Sequence, residues 1–247
     1  MARRRFFVSR DYIRKGEATL PSDQAHHLRN VLRIGVGQVV EIFDGEGNGY
    51  WGEVALNESS VVIRNLHQIP PEYRRIPLIL AAALIKHGRF EWLLEKATEL
   101  GVDEIIPLMT LRSGIQIPDE RLSIRLKRWE RIVLEASKQC GRSALLRVHK
   151  PRQFLDFIDR EEHCSLTRLL FWERAEESWQ PDPSRISNGF VVCIGPEGGW
   201  DGGEVEQARK AGYKIVRLGR QILRTETAAL AAASIIQYQI SHFGLHH

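Results

Sequence analysis

The most constraining stretch of the sequence is LILAAALI, residues 78–85, an apolar run without a polar interruption. It falls far short of the ~18–20 residues that a membrane span requires, and it lacks the alternation of a strand with one wet face. It reads as a strand buried on both faces, which is the signature of a parallel sheet covered by helices. The chain beyond it keeps that rhythm. Arg89–Leu100 is an amphipathic helix ended by Gly101, Glu104–Met109 a strand, and residues 121–140 a long helix. Strands come next at 168–172 and 190–194, then a helix at Glu204–Ala211, a strand at Lys214–Leu218 and a last helix at Thr225–Ser241. This alternation predicts a mostly parallel sheet with helices on its faces.

Residues 1–70 have another grammar. Gln38–Phe43, Tyr50–Ala55 and Val61–Leu66 read as short strands, and DGEGNG between the first two is turn chemistry. SDQAHHLRNVLR reads as a helix with Ser22 as its N-cap and Ala25, Leu28 and Leu32 on one face. Residues 1–70 are therefore expected to form a small β-barrel with one helix. The polar, Pro-rich stretch IPPEYRRIP (69–77) separates this barrel from the alternating region, with residues 71–77 as linker and 78–247 as a second domain.

Charge enters through its distribution. The net charge is +4, but residues 1–33 carry +5, residues 121–152 carry +8 and the remainder −9. Two basic segments in an otherwise acidic chain favour a polyanionic partner over a merely solvated face. The arm RRRFF suits stacking on unpaired bases, or equally a first strand that tucks in Phe6 and Phe7. Cys140, Cys164 and Cys193 are widely spaced and include no CxxC, which fits a reducing cytosol. The N-terminal MARRRFF lacks an apolar stretch behind its charges, so a secretory signal is not expected. A soluble, cytoplasmic protein is the expectation.

Two loops carry the functional signal. CIGPEGGW (193–200) runs from a buried strand into GPEGG and a helix beginning near Asp201, where glycines let a ligand approach the backbone and a helix start offers free N–H groups. A tight turn without a ligand is the simpler alternative. One βα unit later, Leu218-Gly219 leads through RQILRTETAALAAAS into the last helix, with Thr225 as a plausible N-cap. Arg224 and Glu226 flank that helix start, and charges there are costly to bury unless they pair or bind something. Ligands of open α/β sheets sit beyond the carboxyl ends of the strands, so two such loops on one edge outweigh either alone. There is no P-loop motif. His26-His27 and His246-His247 lack partners at metal-ligand spacing, so no metal is expected. Cys193 reads as core.

The run IGPEGGWDGGEVEQARKAG…LGRQILRTETAALAA resembles the signature of the RsmE family, uridine-N3 methyltransferases of small-subunit ribosomal RNA within the SPOUT superfamily. RRFFV, HHLRNVLRIGVGQVVEIFDGEG, KHGRFEWLLEKATELGVDEIIPL and ASKQCGR are similar to the same family in the same order, so the likeness covers nearly the whole chain. It implies an α/β fold: a SPOUT-type parallel sheet with a C-terminal trefoil knot, preceded by a PUA-like RNA-binding β-barrel. It also implies a homodimer that binds S-adenosylmethionine and acts on 16S ribosomal RNA or the small ribosomal subunit. Carried over residue by residue, the cofactor contacts are Leu170, Glu173, Ile194, Gly195, Pro196, Glu197, Gly198, Gly199, Leu218, Gly219, Ile222, Leu223, Arg224, Thr225 and Ala228. The candidate RNA contacts are Arg5, Arg10, His26, Arg29, Arg33, Lys86 and Arg142. Asp201-Gly202-Gly203 stands where the family usually has a more acidic, helix-favouring start.

Methylating uridine N3 requires loss of the imide proton. Arg224 is the candidate cation for the resulting anion, and Glu226 either orients Arg224 or serves as base. N3 lies on the Watson–Crick edge, so the base must be unpaired to react. A non-catalytic RNA-binding or assembly protein, or a SPOUT methyltransferase acting on another RNA, are the competing readings.

Overall fold

Glycine and asparagine chemistry sets the first hairpin. In DGEGNG, Gly45 and Gly47 take φ of +82° and +112°, a region that costs a residue with a side chain dearly. Asp44 Oδ1 accepts from the backbone N–H groups of Glu46 (2.8 Å) and Asn48 (3.1 Å), closing the turn between β4 (Val39–Phe43) and β5 (Gly49–Leu56). The computed structural model describes residues 4–57, 60–70, 76–159, 163–180 and 188–243. Arg3, linker residues 71–75 and His246-His247 lie outside them.

The chain forms two compact units, Met1–Tyr73 with Leu134–Leu145, and Arg74–Val133 with Leu146–His247. In the first unit, β1 (Arg5–Phe7), β2 (Ile13–Arg14), β3 (Glu17–Thr19) and β6 (Val61–Ile69) join β4 and β5 in the order β1-β4-β5-β6-β3-β2. Among the described residues of this sheet, only the β1–β4 pairing is parallel. The inward face buries Phe6, Val8, Val40, Ile42, Val54 and Ile63 together with Leu28. Within the RRRFF arm, Arg5–Phe7 form the first strand: Phe6 is core, and Phe7 packs on Phe43 at 5.6 Å between ring centroids.

Two local expectations are corrected. Ser22 is the first residue of helix α1 (Ser22–His26), not its cap; the cap position is Pro21. The helix then widens into a π-turn over His27–Val31. That turn inserts an extra residue into the helical period, so Leu28 stays buried while Leu32 is turned out, 40% exposed.

Arg5 is corrected as an RNA contact. Its side chain is fully buried and its Nε lies 2.5 Å from Glu41 Oε1. Nη1 donates to the carbonyls of Ser137 (2.9 Å) and Arg142 (2.7 Å), Nη2 donates to Ser143 Oγ (2.7 Å), and the guanidinium lies over the Phe43 ring. Four of the five N–H donors are used within the unit and the side chain is closed off from solvent, so a phosphate does not reach it.

The second unit holds β7 (Leu78–Ala83), β8 (Glu104–Met109), β9 (Arg147–Val148), β10 (Arg152–Gln153), β11 (Thr167–Phe171), β12 (Phe190–Ile194) and β13 (Lys214–Val216). Every pairing among these described strands is parallel, in the order β10-β8-β7-β12-β11-β13, with β9 also on β8. Leu78–Ile85 is buried throughout, as a doubly covered strand requires. The helices are α2 (His87–Glu99), α3 (Asp119–Cys140), α4 (Phe154–Ile158), α5 (Gly202–Lys210) and α6 (Thr225–Phe243). Alanines carry the close packing of α6: Ala229, Ala232 and Ala233 are buried, and the helix lies against β7 and α2. No described helix is long and apolar enough to cross a membrane.

Candidate functional site

Strands β12, β11 and β13 are neighbours, and the segments leaving their carboxyl ends converge. Phe171, Trp172 and Glu173 come from β11, Ile194 to Trp200 from β12, and Arg217, Leu218, Gly219, Gln221, Ile222 and Leu223 from β13. With Thr225 and Ala228 on α6 they line a cleft of about 240 Å³. This is the edge of a parallel sheet where ligands are expected.

The GPEGG loop is held from both sides. The Thr225 hydroxyl donates to the Gly195 carbonyl (2.9 Å), tying the first turn of α6 to the loop. This corrects its expected role: Thr225 is the first helical residue rather than the cap, its hydroxyl is tied to the GPEGG loop, and the Arg224 carbonyl accepts the Ala228 N–H at 2.8 Å. On the other side Arg112 donates to Asp201 Oδ2 (3.0 Å) and reaches the Gly198 carbonyl. Two glycines are required by packing. A Cβ on Gly195 would sit 2.9 Å from Trp200 Nε1, and Gly199 adopts φ +70°. Trp200 in turn donates its indole N–H to the buried Phe171 carbonyl at 3.0 Å. Gly195 thus has a packing reason of its own, the accommodation of an indole, whether or not a ligand binds the loop.

Asp201-Gly202-Gly203 is a better helix start than its glycines suggest. Asp201 caps α5 by accepting from the Gly203 N–H (2.9 Å), and Glu204 Oε2 accepts from the Asp201 N–H (3.1 Å), which completes a capping box. The second Glu204 oxygen accepts from the Leu111 N–H at 2.9 Å. The Gly203 N–H, with help from Arg112, holds the Asp201 carboxyl below its ordinary value. Cys193 is fully buried in β12 and burial pushes its thiol up, so it is core and no nucleophile.

The structure brings Glu173, Ile194, Gly195, Pro196, Glu197, Gly198, Gly199, Leu218, Gly219, Ile222, Leu223, Thr225 and Ala228 to the cleft wall. Leu170 is absent from that wall. It packs in the sheet core with Ile79, Ala81 and Cys193, while the next residue, Phe171, faces the cleft; side chains alternate along a strand, so only one of the pair can do so. Phe171, Trp172 and Gln221 also line the cleft and lie within the loop stretches 170–173 and 218–228 that the resemblance implies, whereas Trp200 and Arg217 fall just outside those stretches. Arg224 is exposed and Glu226 buried, and neither is on the cleft wall.

Glu226 has an unexpected arginine beside it. Arg89, in the first turn of α2, donates to Glu197 Oε1, and its Nε lies 4.0 Å from Glu226 Oε1. In the sequence Arg89 was legible as the start of an amphipathic helix and as part of KHGRF, with no sign of a site role.

Among the candidate RNA contacts, Arg10, His26, Arg29, Arg33 and Lys86 are exposed. Arg10 is paired with Glu46 at 2.9 Å. Arg142 is half-buried and donates to the Ala144 carbonyl at 2.5 Å. Lys138 and Arg142, from the second basic segment, belong to the same unit as Arg10, Arg29 and Arg33 from the first.

Residues 72–237 match the RNA methyltransferase domain family, and residues 20–64 the RNA methyltransferase PUA domain. The ribosomal RNA small subunit methyltransferase E of Synechocystis is 33% identical over 94% of this chain and 76% of its own length. That of Bacillus subtilis is 28% identical over 90% of each chain. The crystal structure of the enzyme of that name from Neisseria gonorrhoeae, bound to S-adenosyl methionine, superposes with a TM-score of 0.85 at 30% identity, covering 96% of this chain and 97% of the other.

Proposed function

The chain belongs to the ribosomal RNA small subunit methyltransferase E family, and on that premise we propose that it uses S-adenosylmethionine to methylate N3 of a uridine in 16S ribosomal RNA. The observation that carries this reading is the cleft where segments leaving three neighbouring strands of a parallel sheet converge, the glycine-rich GPEGG loop among them. The cofactor suits that lining: Ile194, Leu218, Ile222, Leu223 and Ala228 offer apolar surface for a purine, and glycines bring backbone polar groups within reach. The Glu173 carboxylate adds a group for hydroxyls or a cationic centre. When bound, the cofactor supplies a methyl carbon already activated by a positive sulfur.

What the chain must add is position and proton handling. Glu226 accepts the imide proton at its carboxylate, and exposed Arg224 faces the charge developing on the pyrimidine ring. Glu226 is assigned as base in preference to orienting Arg224, because the arginine beside it is Arg89. Arg10, His26, Arg29, Arg33, Lys86 and Arg142 contact phosphates of the RNA. The reaction needs no metal. In the same reading the C-terminal region forms a trefoil knot and the protein acts as a homodimer in the cytoplasm.

Calorimetry with S-adenosylmethionine tests the cleft. Binding is expected, and Thr225→Val, which unties Gly195 from α6, is expected to weaken it about tenfold, the equivalent of one hydrogen bond's net contribution. Absence of any binding heat by the parent protein would instead favour a non-catalytic RNA-binding protein.

A further inference from the structure

The two carboxylate oxygens of Glu226 have different surroundings. Oε1 has the Arg89 guanidinium 4.0 Å away, whereas Oε2 is buried and has no hydrogen-bond partner among the described residues. A buried acceptor left empty is costly unless a donor arrives. Arg89 leaves the carboxyl end of β7 in the first turn of α2 and also bonds Glu197, so one guanidinium spans the GPEGG loop and the start of α6. At 4.0 Å the contact with Glu226 is an ion pair beyond hydrogen-bond reach, so Arg89 orients that carboxylate by its charge. Flanked by two carboxylates, its own charge is already offset, and it is poorly suited to stabilise a further anion. The Arg89–Glu197 pair is also wet, with side chains 40% and 47% exposed, so it adds little to folding stability.

We propose that Arg89 is a positioning residue, steadying Glu226 on its Oε1 side so that the buried, unpartnered Oε2, which the bound RNA must uncover, is left as the acceptor for the imide N–H of the target base. This rests on the uridine-N3 reading above. In the step it serves, the N3–H bond breaks and its proton passes to Glu226 Oε2. N3 uses the freed electron pair to bond the methyl carbon as the carbon–sulfur bond breaks, its pair returning to sulfur as a neutral thioether. Glu226 then gives the proton to solvent.

The test compares Arg89→Gln, Arg89→Lys, Glu226→Gln and the double variant Arg89→Gln/Glu226→Gln in single-turnover methyl transfer to 16S ribosomal RNA. Cofactor affinity and melting temperature are measured on the same samples. Arg89→Gln is expected to lower the single-turnover rate by about 10- to 100-fold, the scale of lost orientation, with KM for RNA and cofactor affinity nearly unchanged. Arg89→Lys should recover part of the rate. In the Glu226→Gln background, Arg89→Gln should cost less than about twofold, since residues acting as a unit are not additive. Additive losses, an effect confined to KM, or an unchanged rate would overturn the role of Arg89. The nucleoside formed is identified in the same reaction. A methyl at any other position overturns the uridine-N3 reading, whereas N3-methyluridine with additive losses overturns Arg89 alone.

Discussion

Asp201 illustrates how a single carboxylate stabilises a loop start. It receives the Gly203 N–H and the Arg112 guanidinium, and both favour its ionised form. A carboxyl held below its ordinary 3.8 contributes stability that is complete above that value and is lost as pH falls through the lowered, folded-state value. Denaturant melts between about pH 6 and pH 3 should therefore show a decline below the ordinary carboxylate range that Asp201→Asn removes; an unchanged acid slope in that variant would contradict the capping account. At this scale the sequence was a partial guide. GPEGG was legible as a site because glycines between a buried strand and a helix have few uses. That Gly195 accommodates an indole, that Leu170 faces the core, and that Thr225 reaches back to a carbonyl depend on neighbours distant in sequence.

Among elements, the buried strands were the easiest to read. Glu104–Met109 and Phe190–Ile194 coincide with the observed β8 and β12, since an apolar run between polar ends leaves little choice. Strands of two or three residues such as β2, β3, β9 and β10 are too short to show a period. That residues 134–145 belong to the first unit was also invisible, because a helix gives no local sign of what its last turns pack against. Within that unit Arg5 ties them to β1: it bonds the carbonyls of Ser137 and Arg142 and the hydroxyl of Ser143. Arg5→Met would leave Glu41 buried without its cation and should cost about 3–5 kcal/mol, while pairing it with Glu41→Leu should restore much of that. Chemical denaturation of the single and double variants checks this; equal losses in both would show that the carbonyl bonds matter more than the ion pair.

For the molecule as a whole, the net charge of +4 conceals a division of labour. The basic N-terminal segment does not act as one patch, because Arg5 is consumed inside while Arg10, Arg29 and Arg33 remain at the surface. Arg29→Gln with Arg33→Gln is expected to weaken RNA binding uniformly and to lower the salt slope by roughly one per lost phosphate contact, leaving cofactor affinity as it was. Binding titrations at several salt concentrations read this directly. In the proposed reaction the cleft and the Glu226 cluster act together to direct methyl transfer to uridine N3. Incubating the purified protein with unmodified 16S ribosomal RNA or small subunits and S-adenosylmethionine, then analysing nucleosides by mass spectrometry, tests it most directly. N3-methyluridine formed by the parent and lost in Glu226→Gln is the predicted result. Transfer to another base, or undiminished transfer by Glu226→Gln, would contradict it.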